Sequence, residues 1–200
     1  MPVAEKPMDR LAERRGLTGD VYQPAEDSYL LASVCTGRID EGATVVDVGT
    51  GSGFVGEQIR SETNATVIGI DLNPHACRQA QKLGLPVIRG NLLDPITANS
   101  VDVVVCNPPY LPRDPGPERD DWLATAVVGG ETGREVVTTL IDDLDRVLRQ
   151  SGSAFVLLSS LMDIECVTKT VESAGFSAIE RDRDASFPFE VLVVVEVRRA

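Results

Sequence analysis

The segment Asn107-Pro108-Pro109-Tyr110 is the sharpest chemical signal in the chain. Two consecutive prolines fix their backbone and remove two N–H donors, which predicts a rigid corner with free carbonyl oxygens. The side-chain oxygen of Asn107 and the carbonyl oxygen of Pro108 could each accept one hydrogen from an NH₂ group, and Tyr110 could stack on a flat substrate. The corner therefore indicates chemistry on a planar, conjugated nitrogen, either an amide or the exocyclic amine of a base.

The nitrogen that this corner would hold is a weak nucleophile, because its lone pair is delocalised. Two acceptors that hold both hydrogens favour the nitrogen as it loses planarity and gains positive charge. A methyl sulfonium donor is already activated, so proximity and in-line geometry supply much of the remaining rate. We therefore predict methyl transfer without a strong general base, with Asn107, Pro108 and Tyr110 as catalytic residues and Pro109 completing the substrate site.

A glycine-rich turn at 47–53, Asp-Val-Gly-Thr-Gly-Ser-Gly, indicates a site for a nucleotide-type cofactor. Its glycines allow a tight turn and let a ligand approach without a Cβ in the way. The segment 51–56 also fits the dinucleotide pattern GxGxxG, and Asp71 follows Gly51 at roughly the 20-residue spacing of a ribose-binding acid, which leaves a dehydrogenase open. Asp47 favours S-adenosylmethionine, because a carboxylate there repels a pyrophosphate and attracts a cationic amino-acid moiety. Nothing further along the chain resembles hydride-transfer chemistry.

Short apolar runs alternate with helical stretches along the chain and would position these residues. We predict strands at 44–48, 67–71, 86–89, 101–106, 154–159, 178–183 and 191–197, and helices opening at 24–28 and spanning 53–61, 74–83, 135–148 and 164–174, with a long loop from 107 to about 133. This alternation predicts an α/β, Rossmann-like fold, a mostly parallel seven-stranded sheet with helices on both faces. Because no helix separates the last two strands, they should form a hairpin that contains one antiparallel strand. Ligands of such sheets bind beyond the carboxyl ends of the strands, where Asp47, Asp71, Asn91 and Asn107 fall.

The composition indicates how many domains the chain forms and where in the cell the protein is expected. Two hundred residues with 42% hydrophobic content suit one globular domain, which we place at 21–200 after a polar N-terminal tail or loose helix at 1–20. No apolar run approaches the roughly 20 residues that span a bilayer, and the N-terminus lacks the pattern of a signal peptide. We therefore expect a cytoplasmic protein without a membrane segment.

Charge and cysteine placement argue against several other partners. The net charge of −12 disfavours a broad phosphate-binding surface, so no stable nucleic-acid binding is expected. Lysine occurs only at positions 6, 82 and 169, and this acid-rich, lysine-poor composition suggests a halophilic protein of a high-salt cytoplasm. The four cysteines are scattered, without CxxC spacing or clustered histidine, so we predict no metal site.

With these residues assembled, the chain resembles class I methyltransferases of the HemK type. More closely, it is similar to their short archaeal and eukaryotic branch, which methylates the glutamine of the Gly-Gly-Gln motif in translation termination (release) factors. The resemblance covers about residues 20–198 and rests on the segments 21–28, 47–53, 71–74, 107–110 and 129–135. The first and last of these segments are the more specific, since many methyltransferases share the glycine turn.

The resemblance implies S-adenosyl-L-methionine as cofactor, S-adenosyl-L-homocysteine as product, and a set of cofactor contacts. These residues are Tyr22, Ser28, Asp47, Gly49, Gly51, Asp71, Asn91, Leu92 and Asn107. Asn107 with the proline corner would hold the glutamine amide. The chain departs from the family at three of these positions, where the family often has Glu for Asp47, Asp for Asn91 and Thr for Ser28, and each departure keeps a polar group.

The resemblance also implies partners and leaves alternatives. The family's enzymes pair with a small zinc-binding activator protein, so a heterodimer is expected that covers apolar surface near the edge of the third strand. The additional N-terminal substrate domain of the bacterial enzymes is not expected. A nucleic-acid base N-methyltransferase of the N6-adenine type could use the same corner, and a non-catalytic binding partner in translation is a third reading.

Overall fold

The computed structural model describes residues 19–113 and 122–200. Most of the predicted N-terminal tail and the middle of the predicted long loop lie outside the described residues. The strands are β1 Thr44–Val48, β2 Thr66–Asp71, β3 Val87–Arg89, β4 Val101–Cys106, β5 Leu148–Ser159, β6 Phe176–Phe187 and β7 Glu190–Arg199. The helices are α1 Glu26–Thr36, α2 Phe54–Thr63, α3 Pro74–Lys82, α4 Trp122–Val127, α5 Glu135–Val147 and α6 Ile164–Ser173, with a 3₁₀ turn at Ser160–Met162.

The described strands form one sheet in the order β3-β2-β1-β4-β5-β7-β6. β1 pairs in parallel with β2 and β4, β2 with β3, and β4 with β5. β7 runs antiparallel to both β5 and β6, so it alone among the described strands opposes the others. The predicted mostly parallel seven-stranded sheet with one antiparallel strand is therefore confirmed. Strand order reverses between β1 and β4, which makes their carboxyl ends the switch point of the sheet.

The core lies where helices cover the central strands. Four of the five residues of β1 and five of the six of β4 are buried, as is typical of parallel strands covered on both faces. α5 buries one face through Val137, Leu140, Ile141 and Leu144, which follow the spacing of an amphipathic helix. No helix in residues 19–113 or 122–200 is long and apolar enough to cross a membrane.

The boundary between α5 and β5 differs from the prediction. We expected the helix to continue to 148 and the strand to begin at 154, but α5 ends at Val147 and β5 begins at Leu148. Leu148 has an extended backbone and pairs with Val101 at the start of β4. The polar residues 149–151 are exposed, so the first half of this strand carries no alternating apolar pattern that the sequence could reveal.

The predicted long loop from 107 to 133 contains a short helix, which corrects the prediction. α4 (Trp122–Val127) buries Leu123 and Val127, four residues apart on one helical face. Directly after it, Val128 pairs with Leu111, and the Leu111 N–H donates to the Val127 carbonyl oxygen at 2.9 Å. The prolines and glycines that suggested a loop lie on either side of this helix rather than within it.

Candidate functional site

All the residues predicted at the site line one cavity of about 480 Å³ beyond the carboxyl ends of β1, β2, β3 and β4. They are Tyr22, Ser28, Asp47, Gly49, Gly51, Asp71, Asn91, Leu92, Asn107, Pro108, Pro109 and Tyr110. The fold thus brings together residues from four separate strand ends and from the N-terminus of α1. The cavity has a part beside the glycine turn and a part beside the proline corner, and the two are continuous.

The glycine turn between β1 and α2 leaves open space on its cavity side. Gly49 has a φ of +67°, and a Cβ built on it would meet no atom within 4 Å, so the bare backbone faces the cavity. Gly53 serves packing, because its φ is +86° and a Cβ there would lie 2.8 Å from the Cα of Ala80 in α3. The turn therefore offers a ligand an unobstructed backbone while its far side seats α2 against α3.

Asp47, at the end of β1, anchors this turn. Its Oδ2 accepts hydrogen bonds from the Thr50 hydroxyl at 2.6 Å and from the Gly56 N–H at 3.1 Å. Burial raises the pKa of Asp47 to about 6, although the Thr50 and Gly56 donors act in the opposite direction. The sequence reasoning did not identify Thr50, which also lines the cavity.

The raised pKa of Asp47 has a consequence for stability. The folded protein binds the proton of the Asp47 carboxyl group more tightly than the unfolded chain does. The stability that this proton adds to the folded state is therefore complete below about pH 4 and is lost as the pH rises through about 6. We expect Asp47→Asn to remove about 3 kcal/mol of this pH dependence in the free energy of unfolding. Urea titrations between pH 4 and 7 measure the difference curve between variant and wild type.

Asp102 is the control, because its contribution to stability should change with pH in the opposite direction to that of Asp47. Burial alone would raise the pKa of Asp102, but the Thr44 N–H and the Arg149 guanidinium hold it below its ordinary value. Asp102→Asn should therefore lower stability at neutral pH and have less effect as the pH falls. Difference curves of the same sign for both variants would contradict the assignment for Asp47.

Asp71, at the end of β2, is fixed by backbone donors. Its two oxygens accept from the Gly51 N–H and the Asn73 N–H, each at 2.8 Å. Burial raises the pKa of Asp71, while these N–H donors act against that rise. A carboxylate held in one orientation on the cavity wall suits a pair of neighbouring hydroxyl groups.

The loop after β3 supplies the next part of the wall. Asn91 is exposed and donates from Nδ2 to the Asp94 carboxylate at 3.4 Å. Leu92 has a φ of +43°, in the left-handed region that side chains disfavour. Such backbone strain persists only where the surroundings enforce it, and here it places Leu92 on the cavity wall.

Asp27 is a cavity residue that the sequence reasoning missed. Only 1% of it is exposed, and its carboxylate accepts from the Tyr22 hydroxyl at 2.8 Å and from the Ser28 N–H at 2.6 Å. The acidic pair at 26–27, directly before an apolar helical run, was the available signal. Trp122 and Arg113 also line the cavity, and no local pattern links them to the corner.

The proline corner after β4 presents the other part of the cavity. The side-chain amide of Asn107 is half-buried and makes no hydrogen bond to any residue within 19–113 or 122–200. The Pro108 carbonyl oxygen likewise accepts no hydrogen bond from these residues. Tyr110 is 4% exposed, so only the part of its ring that faces the cavity could contact a substrate.

Residues 129–135, which we name the corner clamp, hold the proline corner in place. A Cβ on Gly129 would overlap the Pro109 carbonyl oxygen, and one on Gly133 would overlap the Tyr110 carbonyl oxygen. The Glu135 carboxylate closes the clamp by accepting from the Thr132 hydroxyl at 2.9 Å and from the Arg134 N–H at 3.1 Å. The glycines are therefore required by contact with the corner.

The described ranges contain no cluster of three or more histidine, cysteine or acidic side chains that could hold a metal ion. The cavity instead combines an open glycine turn, carboxylates after β1 and β2, and an Asn-Pro-Pro corner after β4. A Rossmann-like sheet that carries these features at its switch point defines the class I methyltransferases.

Comparison with known proteins identifies the family. Residues 39–155 match the family described as the methyltransferase domain, and the chain belongs to it. A Methanocaldococcus jannaschii protein with the provisional name protein N5-glutamine methyltransferase is 29% identical over 187 residues, covering 90% of this chain and 92% of that protein. Human methyltransferase HEMK2 is 29% identical over 177 residues, covering 80% and 82%. These relatives confirm a methyltransferase of the HemK type.

A solved structure agrees with this assignment. One chain of the E. cuniculi Mtq2–Trm112 complex, described as responsible for methylation of the eRF1 translation termination factor, superposes with a TM-score of 0.76. It is 29% identical, and the match covers 91% of this chain and 100% of that chain. The agreement in fold thus extends over about nine-tenths of this chain.

Proposed function

We propose that this methyltransferase transfers a methyl group from S-adenosyl-L-methionine to N5 of the glutamine in the Gly-Gly-Gln motif of a translation termination factor. The observation that carries the proposal is the Asn107 amide, which has no hydrogen-bond partner among the described residues and lies in the same cavity as the glycine turn. The corner by itself fits an amide or a base. One relative is provisionally named as a protein N5-glutamine methyltransferase, which favours an amide as the substrate.

The cavity suits the proposed cofactor. Asp71 is oriented toward the ribose position, the uncovered backbone of Gly49 leaves room for the amino-acid part, and about 480 Å³ accommodates a nucleoside joined to an amino acid. The buried carboxylates of Asp27 and Asp47 add negative charge beside the glycine turn, where an ammonium group would be stabilised. Ser28, Asn91 and Leu92 complete the proposed contacts.

The corner acts on the acceptor nitrogen. When bound, the cofactor supplies a methyl group on an electrophilic sulfonium. The Asn107 side-chain oxygen and the Pro108 carbonyl oxygen each accept one amide hydrogen, which fixes the nitrogen and stabilises the positive charge that develops on it. Once the nitrogen has gained the methyl group, one of these two hydrogens leaves as a proton to water, so the methylated amide is neutral. Tyr110 packs beside the amide plane, and the corner clamp keeps all three groups at fixed distances.

A methyl-transfer assay tests this function. The chain is purified with its activator and offered labelled S-adenosylmethionine together with a termination factor, its variant with alanine for the glutamine of the motif, tRNA or DNA. We expect label on the intact factor and none on the alanine variant. Label on nucleic acid alone would contradict the proposal and support the base methyltransferase.

We also propose that β3 docks a small activator protein. β3 is a short edge strand, and Ile88 in it is 37% exposed. The opposite edge strand, β6, carries five consecutive charged residues at 180–184, which discourage pairing with another chain. Of the two edges of the described sheet, β3 is thus the one better suited to a partner, and the related Mtq2 is described in a complex with Trm112.

Matched substitutions at the two edges test this docking site. Ile88→Arg is expected to weaken co-purification with the activator at least tenfold, because a charged side chain would be placed in an apolar contact. Ile179→Arg on β6 is the control, since Ile179 is also 37% exposed. Equal loss of the activator in both variants would contradict docking at β3.

The cellular environment is a further part of the proposal. The net charge of −12 and the near absence of lysine support a cytoplasmic protein adapted to high salt. We expect the midpoint of thermal unfolding and the activity to rise between low and molar KCl. Unchanged values over that range would count against halophily.

A further inference from the structure

Residues 20–24, which we name the cofactor strap, lie along the cavity without helix or strand structure and lead into α1. Val21, Tyr22 and Pro24 line the cavity, and Val21 is only 7% exposed. The Tyr22 carbonyl oxygen lies 3.8 Å from the Cβ position of Gly51. The strap therefore borders the part of the cavity that holds the cofactor in the proposed function.

The N-terminus of α3 ties down the start of this strap. The Asn73 Nδ2 donates to the Asp20 carbonyl oxygen at 2.6 Å, although the two residues are 53 positions apart in sequence. The Asp20 carboxylate also lies 3.4 Å from Nδ1 of His75, in an exposed pair that contributes little. The Gln79 Nε2 in α3 also donates to the Gln23 Oε1 of the strap at 3.2 Å, but that pair is exposed. Asn73 therefore supplies the less exposed and shorter tie between the strap and α3.

The side-chain amide of Asn73 makes two hydrogen bonds, one that caps α3 and one that holds the strap. It is 6% exposed, and its Oδ1 accepts from the His75 N–H at 2.8 Å, which caps α3. Aspartate or serine would cap the helix about as well. Aspartate lacks a donor, and the serine hydroxyl is too short to reach the strap while it caps. An asparagine is therefore needed for the strap rather than for the helix.

We propose that Asn73 is a positioning residue that latches the cofactor strap over bound S-adenosylmethionine and so sets how long the cofactor stays. This rests on the proposed function, in which the cofactor occupies the cavity. The latch lies two residues after Asp71, whose Oδ1 accepts the Asn73 N–H at 2.8 Å. Strap and cofactor then stabilise each other, because coupling between two binding events is reciprocal.

The dissociation rate of S-adenosylmethionine, measured by stopped flow with the full chain and its activator, tests the latch. Asn73→Asp keeps the helix cap and replaces the donor to Asp20 with an acceptor, so we expect dissociation about three- to tenfold faster than in wild type. Asn73→Ser also removes the hydrogen bond to Asp20, but adds no charge, and it should also speed the dissociation of the cofactor. Asn64→Asp, a swap of the same kind at the exposed end of α2, should leave the rate unchanged.

Hydrogen exchange separates a latch from a general loss of structure. In wild type, S-adenosylmethionine should slow amide exchange in residues 20–23, and Asn73→Asp should reduce that protection while exchange in α3 stays the same. Dissociation from Asn73→Asp as slow as from Asn64→Asp would overturn the latch and leave the proposed function intact. A wild-type chain that binds no S-adenosylmethionine would overturn both.

Discussion

Replacing Asn107 with alanine is expected to lower kcat for methyl transfer by about 10²–10³-fold, because one of the two acceptors that stabilise the developing charge is removed. Asn107 has no hydrogen-bond partner among the described residues, so its removal should leave the fold intact. The Kd of S-adenosylmethionine should stay within a few-fold, since the glycine turn, Asp27 and Asp71 remain. Single-turnover methyl transfer and isothermal titration measure the two quantities.

Asn91→Ala is the matched control for Asn107→Ala, because it removes an amide from another strand-end loop of the same cavity. Asn91 lies near the cofactor part, so this variant should raise the Kd of S-adenosylmethionine and affect kcat less. Activity of Asn107→Ala within tenfold of wild type would contradict the role assigned to the corner.

Gly133→Ala should lower kcat about 10²-fold, because a Cβ there overlaps the Tyr110 carbonyl oxygen and displaces the corner by a fraction of an ångström or more. The residue also has a φ of +79°, so strain of about 1–2 kcal/mol is added to the folded state. The free energy of unfolding and kcat together separate these two effects.

Gly42→Ala isolates the strain in that comparison. Gly42 has a φ of +77°, but its Cβ would meet no atom within 4 Å, and it lies outside the cavity lining. Gly42→Ala should lose only the strain energy of about 1–2 kcal/mol and keep its kcat. If Gly42→Ala lost as much activity as Gly133→Ala, the corner clamp would have no specific role.

The positions of the strand-end residues could be predicted from the sequence because the central strands are rich in valine. β1 and β4 each contain one aspartate among such residues, and a parallel sheet places the residues at their carboxyl ends along one edge. Asp47 and Asn107 were located in this way. Their separate roles in binding and catalysis stay predictions, because a lining position does not define a contact.

Other parts of the site depend on contacts between distant segments that leave no local pattern. The hydrogen bond from Asn73 to Asp20 and the close approach of Gly133 to the Tyr110 carbonyl group join residues far apart in the chain. α4 was missed for a different reason, since a six-residue helix is too short to show a helical period of apolar and polar residues. Such features are set by tertiary packing rather than by propensity.

The pairing of Leu111 with Val128 should make the segment between the proline corner and the corner clamp tolerant of insertions. The two ends of that segment are joined at the base, and the clamp binds the corner directly rather than through the intervening residues. Doubling the length of a flexible loop costs only about 0.6 kcal/mol, so insertions that leave α4 in place should change stability little. Because Leu123 and Val127 of α4 are buried, a graft between related enzymes should keep these two side chains, and we expect it then to leave the geometry of the corner and its clamp unchanged.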